Sequence, residues 1–212
     1  MQPQERDELQ SMCPGAAIEL VGHAAESCDF TPSPDTSREI LFVGNRYDPN
    51  IRGLKTFLRR VWPSVRRSCP DAKMVVCGRV AEAIRWAPRG VELRELVDDL
   101  SSCYRPAGIV VNPAPHGTGQ AVKSIEALAH GRALVTTEIG VRGLAPGDEP
   151  PWRMSGIGPK MAEIIVGLLM AGAARHSLER RAHEYAVARL APDVIYAPFL
   201  ARIRAAAEGW SI

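Results

Sequence analysis

The chain has 212 residues, a hydrophobic fraction of 46%, and 26 basic residues against 24 acidic ones, so its formal charge is +2. This length and composition supply enough apolar material for one sizeable core, or for one domain with an appendage. The near balance of charge gives no electrostatic case for nucleic acid or an anionic membrane as a partner.

Cysteine usage and the length of the apolar runs bear on the compartment. The five cysteines form an odd, scattered set with no C-x-x-C pair, which suits a reducing cytosol where each is a small buried hydrophobe or an inert thiol. The longest apolar run, residues 164–174, is too short to span a bilayer, and no signal peptide opens the sequence. We therefore expect a cytoplasmic protein without a transmembrane segment.

Residues 1–37 differ in pattern from the rest of the chain. Residues 4–12 predict a polar amphipathic helix, and residues 17–21 predict a short strand. Residues 22–37 resemble a linker, with prolines at positions 32 and 34. Two interpretations are open: the remnant of a preceding domain with its linker, which we favour, or the decorated start of a complete small domain.

Strands and helices alternate through residues 38–150. Apolar runs predict strands at residues 40–44, 74–78, 91–93, 108–112 and 133–137. Helices are predicted at residues 48–67, 80–86 and from about residue 119 to Gly131. This alternation predicts an α/β fold, a Rossmann-like doubly wound parallel sheet with its ligand at the carboxyl ends of the strands.

The sheet pattern ends at Pro150, and residues 151–212 predict a helical tail that packs on the sheet. Its helices are expected at residues 159–171, 177–190 and 194–207. Residues 155–165 also resemble the G-x-G-P-K-x-A turn of helix-hairpin-helix DNA-binding modules. That motif needs a helix before the turn, and the prolines at 150 and 151 leave no room for one. We therefore expect no nucleic-acid partner.

A glycine loop followed by a helix carries the chemistry. Thr118 can cap a helix that starts near Gly119, and the backbone N–H groups of Gly117, Thr118 and Gly119 would face an anion at the positive end of that helix. Lys123, about one turn inside, adds a full positive charge. This pattern predicts a site for a diphosphate.

Glu126 lies on the same helix face as Lys123, because the two are three residues apart. It is roughly 10 Å from the loop at about 1.5 Å of rise per residue. A carboxylate at that distance can accept hydrogen bonds from the two hydroxyls of a ribose whose diphosphate rests on the loop. The alternative is that the glycines form an ordinary loop and that Lys123 and Glu126 belong to a solvated helix face.

Two segments of the sequence resemble family 4 glycosyltransferases of the GT-B class. GTGQAVKSIEALAHGRALVTTEIGVRGL, residues 117–144, follows that family's order of a G-x-G loop, a Lys, an E-A-hydrophobic-A-x-G helix and a V-T-T strand. FVGNRYDPNIRGLKTFLRRVWP, residues 42–63, resembles the opening strand and helix of the same domain. The resemblance extends over about residues 21–144.

The resemblance implies a retaining glycosyltransferase that moves a sugar from a nucleoside diphosphate to an acceptor hydroxyl. This chain would supply the C-terminal, nucleotide-sugar-binding half. The chain would pack against a missing N-terminal acceptor domain, to which residues 1–37 would lead. No cofactor and no metal are implied, and the acceptor is unknown.

The family pattern also bears on three further residues and on the catalytic group. Arg52 is a candidate phosphate ligand, although a solvated basic helix face is the simpler interpretation. His116 beside the loop is a candidate contact to phosphate or sugar, and the turn at Gly140 is a candidate contact to the donor sugar. The family's acceptor-side histidine would lie in the missing half, so no catalytic residue is assigned.

The sequence departs from the family at several positions near the loop. Most members carry an E-x7-E pair, and Thr118 stands where the first Glu belongs. Pro115 and Ala121 stand where G-T-G members tend to have basic residues, and Glu95 replaces a common glycine near the base. These departures leave a second hypothesis open, a non-catalytic nucleotide-binding or interaction module with the same fold.

Overall fold

A six-stranded sheet forms the centre of the protein in the computed structural model, which describes residues 3–117 and 121–208. Strands β1 to β6 span Glu39–Val43, Lys73–Cys77, Val91–Arg94, Ile109–Asn112, Ala133–Thr136 and Trp152–Met154. Every neighbouring pair is parallel, and the spatial order is β3-β2-β1-β4-β5-β6. The predicted Rossmann-like doubly wound sheet is confirmed, and its strand order reverses between β1 and β4.

Helices cover both faces of this sheet. Helices α1 to α8 span Pro3–Met12, Asp48–Arg60, Trp62–Ser68, Ser101–Tyr104, Val122–Ala129, Pro159–Met170, Gly172–Arg189 and Pro192–Glu208. Single 3-10 turns lie at Ala81–Ala83 and Ile139–Val141. The predicted helix at residues 80–86 is therefore reduced to one turn.

Two apolar cores lie on opposite faces because successive strand residues point to opposite sides. In β1, Ile40 and Phe42 join the core beneath α2, α3 and α6, whereas Leu41 and Val43 join the core beneath α5 and α7. The same alternation continues in β2 and β4. Burial on both faces explains why these strands read as continuous apolar runs in the sequence.

The helix predicted over residues 48–67 is divided at Val61. Pro49 stands in the first turn of α2, as predicted, and Pro63 stands in the first turn of α3. Proline lacks the N–H group that would continue the ladder of hydrogen bonds through this point. The division turns Trp62 into the core, where it is 1% exposed.

Two predictions about strands are wrong. Residues 17–21 form no strand, and the segment after them pairs with helix ends instead: the N–H of Ala25 bonds to the Leu190 carbonyl and that of Cys28 to the Ala129 carbonyl. Conversely, the sheet does not end at Pro150, because β6 pairs with β5 beyond it. β6 is a three-residue edge strand that follows two prolines, so it is too short to show the alternation of apolar and polar residues by which a strand is predicted. A strand, rather than the helix that a helix-hairpin-helix module requires, therefore precedes α6.

A buried ionic cluster fastens the linker to α7. Arg175 and Glu179 are both fully buried, and Ser33 donates to Glu179 through its backbone N–H and its hydroxyl. Arg175 donates from Nε to the Ser33 Oγ and from its terminal nitrogens to the carbonyls of Pro34 and Leu168. These bonds satisfy most of the charged pair's donors and acceptors, which is the condition for burying it.

Within residues 3–117 and 121–208, no single helix has both the length and the apolar character needed to cross a membrane. One bent pair, α6 followed by residues 172–208 at 102°, reaches those values only when its two parts are counted together.

Two helical glycines provide a matched test of packing. A Cβ at Gly53 in α2 would overlap the carbonyl oxygen of Pro113, whereas a Cβ at the exposed Gly167 in α6 would meet nothing within 4 Å. We expect Gly53→Ala to lower the free energy of unfolding by about 1–3 kcal/mol and Gly167→Ala to raise it by about 0.5–1 kcal/mol. Urea unfolding measures both. Equal effects from the two substitutions would contradict the close approach of α2 to the loop after β4.

The buried cluster predicts an asymmetry between two arginines of the same helix. Arg175→Met leaves Glu179 buried without its cation and should lower the free energy of unfolding by about 3–5 kcal/mol. Arg180→Met, at an exposed position, should change it by less than about 0.5 kcal/mol. Denaturant unfolding of both variants checks this, and a wild-type midpoint for Arg175→Met would refute the role of the cluster.

Candidate functional site

The candidate site is a cleft at the carboxyl ends of the strands, where the strand order reverses. One cavity of about 350 Å³, here called the β4–β5 cavity, is lined by the loops after β1, β4 and β5. A second of about 360 Å³, the β2–β3 cavity, is lined by the loops after β1, β2 and β3. Both cavities share Asn50, Val122 and Lys123. They therefore form two halves of one cleft at the position where doubly wound sheets bind ligands.

Lys123 stands between the two cavities, in the first turn of α5. Its Nζ donates to the Asn50 Oδ1 at 2.6 Å. Burial lowers the pKa of Lys123, and the opposing attraction of Glu126 offsets part of this. Since its hydrogen-bond partner is a neutral amide, the ammonium charge stays available to an anion that enters the cleft.

Glu126 lines the β2–β3 cavity one turn further along α5. The buried Tyr104 donates its hydroxyl to the Glu126 Oε2 at 3.4 Å, and the Tyr104 ring stacks on His130 with centroids 4.1 Å apart. Burial raises the pKa of Glu126, while the Tyr104 bond and the charges of His23 and Lys123 oppose that rise. The carboxylate is therefore held in the cleft by the Tyr104 hydroxyl and lies near the charges of His23 and Lys123.

Buried hydrogen bonds fix the floor of the β4–β5 cavity. Asn112, the last residue of β4, donates from Nδ2 to the Ser124 Oγ at 3.0 Å and to the carbonyl of Gly140 at 3.2 Å. The N–H of Gly140 is bonded to Thr137, and a Cβ on Gly140 would overlap the Thr136 hydroxyl. Glycine is therefore required here, and the loop after β5 is tied to α5.

Of the other site residues predicted from the sequence, some line the cleft and one does not. His116 and Gly117 line the β4–β5 cavity, and Arg142 donates to the Gly117 carbonyl at 3.0 Å. Arg52 lines neither cavity and pairs with Asp48 at 2.6 Å on the exposed side of α2. Their contacts to a donor stay predictions.

The start of α5 corrects one prediction. The helix begins at Val122 rather than near Gly119, because Ala121 has a non-helical ψ of 57°. The predicted cap and anion contacts of Thr118 and Gly119 lie outside the described residues. The later start places Lys123 in the first turn of the helix, nearer its positive end than the sequence suggested.

Two residues of the cleft were missed by the sequence analysis. In the sequence Asn50 is only a polar residue in the first turn of α2. Its place in the cleft depends on its hydrogen bond with Lys123 of α5. Asn112 has a weak signal, since it is the polar end of the apolar run IVVN. Within the described ranges, no group of three His, Cys, Asp or Glu side chains is placed to hold a metal ion.

Residues 37–151 match the family model described as "Glycosyl transferases group 1". Because this match covers more than half of the chain, the chain belongs to the group 1 glycosyltransferase family.

Known proteins support the fold. Sucrose-phosphate synthase from Thermosynechococcus elongatus superimposes with a TM-score of 0.73 at 17% identity, over 99% of this chain and 58% of that one. S. aureus TarM, solved in complex with Fondaparinux, alpha-GlcNAc-glycerol and UDP, superimposes with a TM-score of 0.71 at 15% identity, over 94% of this chain and 42% of that one.

A curated relative from Klebsiella pneumoniae, an uncharacterized 44.6 kDa protein in the cps region, is 28% identical over 121 residues. The match covers 49% of this chain and 30% of that protein. The chain thus spans about a third of its curated relative and about half of these solved structures.

Because the pKa of Glu126 is raised, replacing its carboxylate by a neutral amide should increase the free energy of unfolding by an amount that depends on pH. Below the ordinary glutamate pKa of about 4.3, the carboxyl is protonated in both the folded and the unfolded chain, so no buried charge lowers the free energy of unfolding. As pH rises through the folded value, the buried charge lowers the free energy of unfolding. Glu126→Gln should therefore match the wild type near pH 4 and exceed it at pH 7. The measurement is urea unfolding at several pH values.

The matched control is Glu184→Gln at an exposed position of α7, which should change stability little at either pH. A Glu126→Gln curve parallel to the wild type across the range would contradict the burial of this carboxylate.

Proposed function

We propose that this chain is the donor-binding half of a retaining glycosyltransferase that moves a sugar from a nucleoside diphosphate to an acceptor hydroxyl. The observation that carries the proposal is the shared boundary of the two cavities. Lys123 and Asn50 stand on that boundary, and Glu126 lines one side of it. A donor laid across the boundary places its diphosphate at the middle of the cleft.

The donor's nucleoside fits the β2–β3 cavity. Glu126 accepts hydrogen bonds from the ribose hydroxyls, and the backbone near Glu95 and Val97 flanks the base. The half-buried carboxylate suits this role because its hydrogen bond from the Tyr104 hydroxyl is long, at 3.4 Å, and engages only Oε2, which leaves oxygen lone pairs for the ligand. Arg52 takes no part in this arrangement, since its guanidinium is paired with Asp48.

The donor's sugar fits the β4–β5 cavity, beside His116 and the turn at Gly140. When the bond between the sugar's anomeric carbon and the diphosphate breaks, negative charge grows on the departing phosphate. Lys123 and the loop amides of Gly117, Thr118 and Gly119 stabilise that charge, which an ammonium held in a part-buried cleft does better than one in water. No metal ion is needed for this step.

The acceptor half of the enzyme docks, in this proposal, on α8 and the N-terminal segment. None of the α8 residues is buried, and Tyr196, Phe199, Leu200 and Ile203 form an exposed apolar stripe at helical spacing. Arg202 of α8 pairs with Glu19 at 2.8 Å, so the two segments lie together. The lengths of the related proteins support an occupant of domain size.

The division into residues 1–37, 38–150 and 151–212 follows from this proposal, with β6 joining the start of the tail to the sheet. A cytoplasmic location belongs to it as well, since all five cysteines are free thiols.

The second candidate is a nucleotide-binding module without turnover. It is favoured by Thr118, Pro115 and Ala121, which stand where the family that the sequence resembles tends to have charged residues around the loop. A hydrolysis or transfer assay with UDP- and GDP-sugars separates the two, because only the enzyme releases nucleoside diphosphate.

Calorimetric titration with UDP and GDP tests the binding site. Glu126→Ala should weaken the preferred nucleotide by about ten- to a hundredfold, because two hydrogen bonds to a charged carboxylate are lost. Lys123→Met should weaken it by at least about tenfold through loss of the charge on the diphosphate. Arg180→Ala is the matched surface control and should bind as the wild type does.

Pyrophosphate, which has no ribose, separates the two roles. Lys123→Met should weaken it and Glu126→Ala should not. If neither UDP nor GDP binds the wild type, or if Glu126→Ala weakens pyrophosphate as much as UDP, the assignment of the cleft is wrong.

A further inference from the structure

A second groove lies on the face of α2 and α3, away from the cleft. One cavity of about 350 Å³ is bounded by α2 and the crossover between β2 and β3, and a neighbouring one of about 610 Å³ continues along α3. They share Leu58, Arg59, Trp86 and Pro88, so they form one continuous groove. It has no lining residue in common with the cleft.

The charge of this groove is one-sided. Its six charged lining residues are all basic: Lys55, Arg59, Arg66, Arg67, Arg85 and Arg89. None of these six takes part in an ion pair within the described part of the chain. Since the whole chain has a formal charge of only +2, the remainder is net acidic. A net charge near zero therefore coexists with a strongly positive electrostatic potential at the groove.

The groove also has an apolar floor. Leu58, Ile84 and the prolines at 63, 70 and 88 line it, and the Trp86 side chain stands 76% exposed at its side. A large exposed aromatic beside cations that form no ion pair is unusual on a free surface, because aromatic and Arg side chains are concentrated where partners bind. The loop that carries Trp86 is fixed, since Trp62 donates to the Arg89 carbonyl at 3.2 Å.

We propose that this groove binds an acidic polypeptide segment that carries an apolar anchor residue. Charge complementarity requires an anionic occupant, and a floor of Leu58, Ile84 and three prolines suits aliphatic side chains better than the planar bases of a nucleic acid, which stack on aromatic residues. The concave shape favours a chain lying in the groove over a flat lipid surface. Carboxylates of the segment pair with the arginines, and its anchor packs against Trp86 and Leu58.

A labelled synthetic peptide tests the proposal in fluorescence anisotropy. The probe is a fluorescein-labelled nonapeptide with a central Phe-Leu pair flanked by Glu and Asp residues. We expect saturable binding that weakens steeply as salt increases. A peptide of the same charge with Gly-Ser at its centre, and one with Lys in place of the acids, should each bind at least about tenfold more weakly.

Exposed substitutions assign the binding to the groove. Trp86→Ala should weaken the probe at least about tenfold, and the double variant Arg85→Glu with Arg89→Glu should abolish it. The charge-reversal control, Arg180→Glu, lies outside the groove and should leave binding unchanged. UDP affinity should be unaffected in all these variants, so failure here is distinguishable from failure of the donor site.

Three results would overturn the proposal: no saturable binding of the acidic peptide, equal weakening by Arg180→Glu, or binding of anionic vesicles or single-stranded DNA under conditions where the peptide does not bind.

Discussion

The structure depends on how closely the carboxyl ends of β1, β2 and β4 approach one another. Gly78 has φ +94°, and a Cβ there would lie 2.6 Å from the carbonyl oxygen of Gly44. Gly53 in α2 lies against Pro113 after β4 in the same way. These approaches bring Asn50 from one side of the switch point to within hydrogen-bond distance of Lys123 on the other. The cleft is thus a consequence of backbone packing before any ligand binds.

The site and the tail are joined through α5. This short helix presents Lys123 and Glu126 to the cleft, while Ile125 and Leu128 bury its other side under α7. α7 in turn holds the linker through Arg175 and Glu179. The same two helices therefore position Lys123 and Glu126 and fasten the segment that leads towards the proposed acceptor half.

Much of this arrangement could be predicted from the sequence, because parallel strands buried on both faces leave apolar runs that end in glycine. The pairing of Lys123 and Glu126 on one helix face followed from their spacing, and both line the same cavity. The placement of β6, by contrast, depends on a three-residue edge with no period. Asn50 and the Arg175–Glu179 cluster depend on contacts between residues 73 and 146 positions apart along the chain, which no local pattern contains.

The basic groove shows the same limit of sequence reasoning in another form. The arginines of α2 and α3 have the sequence pattern of a solvated helix face, and the balanced net charge gave no electrostatic case for nucleic acid or an anionic membrane. Only the fold brings Arg85, Trp86 and Arg89 from the next crossover against that face. Charge composition averages over a surface, whereas binding depends on where the charges lie.

The most direct test of the central claim is a crystal structure of the protein with the preferred nucleotide, UDP or GDP, bound. The account predicts the diphosphate at the boundary of the two cavities, within hydrogen-bond distance of the Lys123 Nζ, and both ribose hydroxyls on the Glu126 carboxylate. That nucleotide bound elsewhere, or bound in the cleft with its ribose away from Glu126, would contradict it.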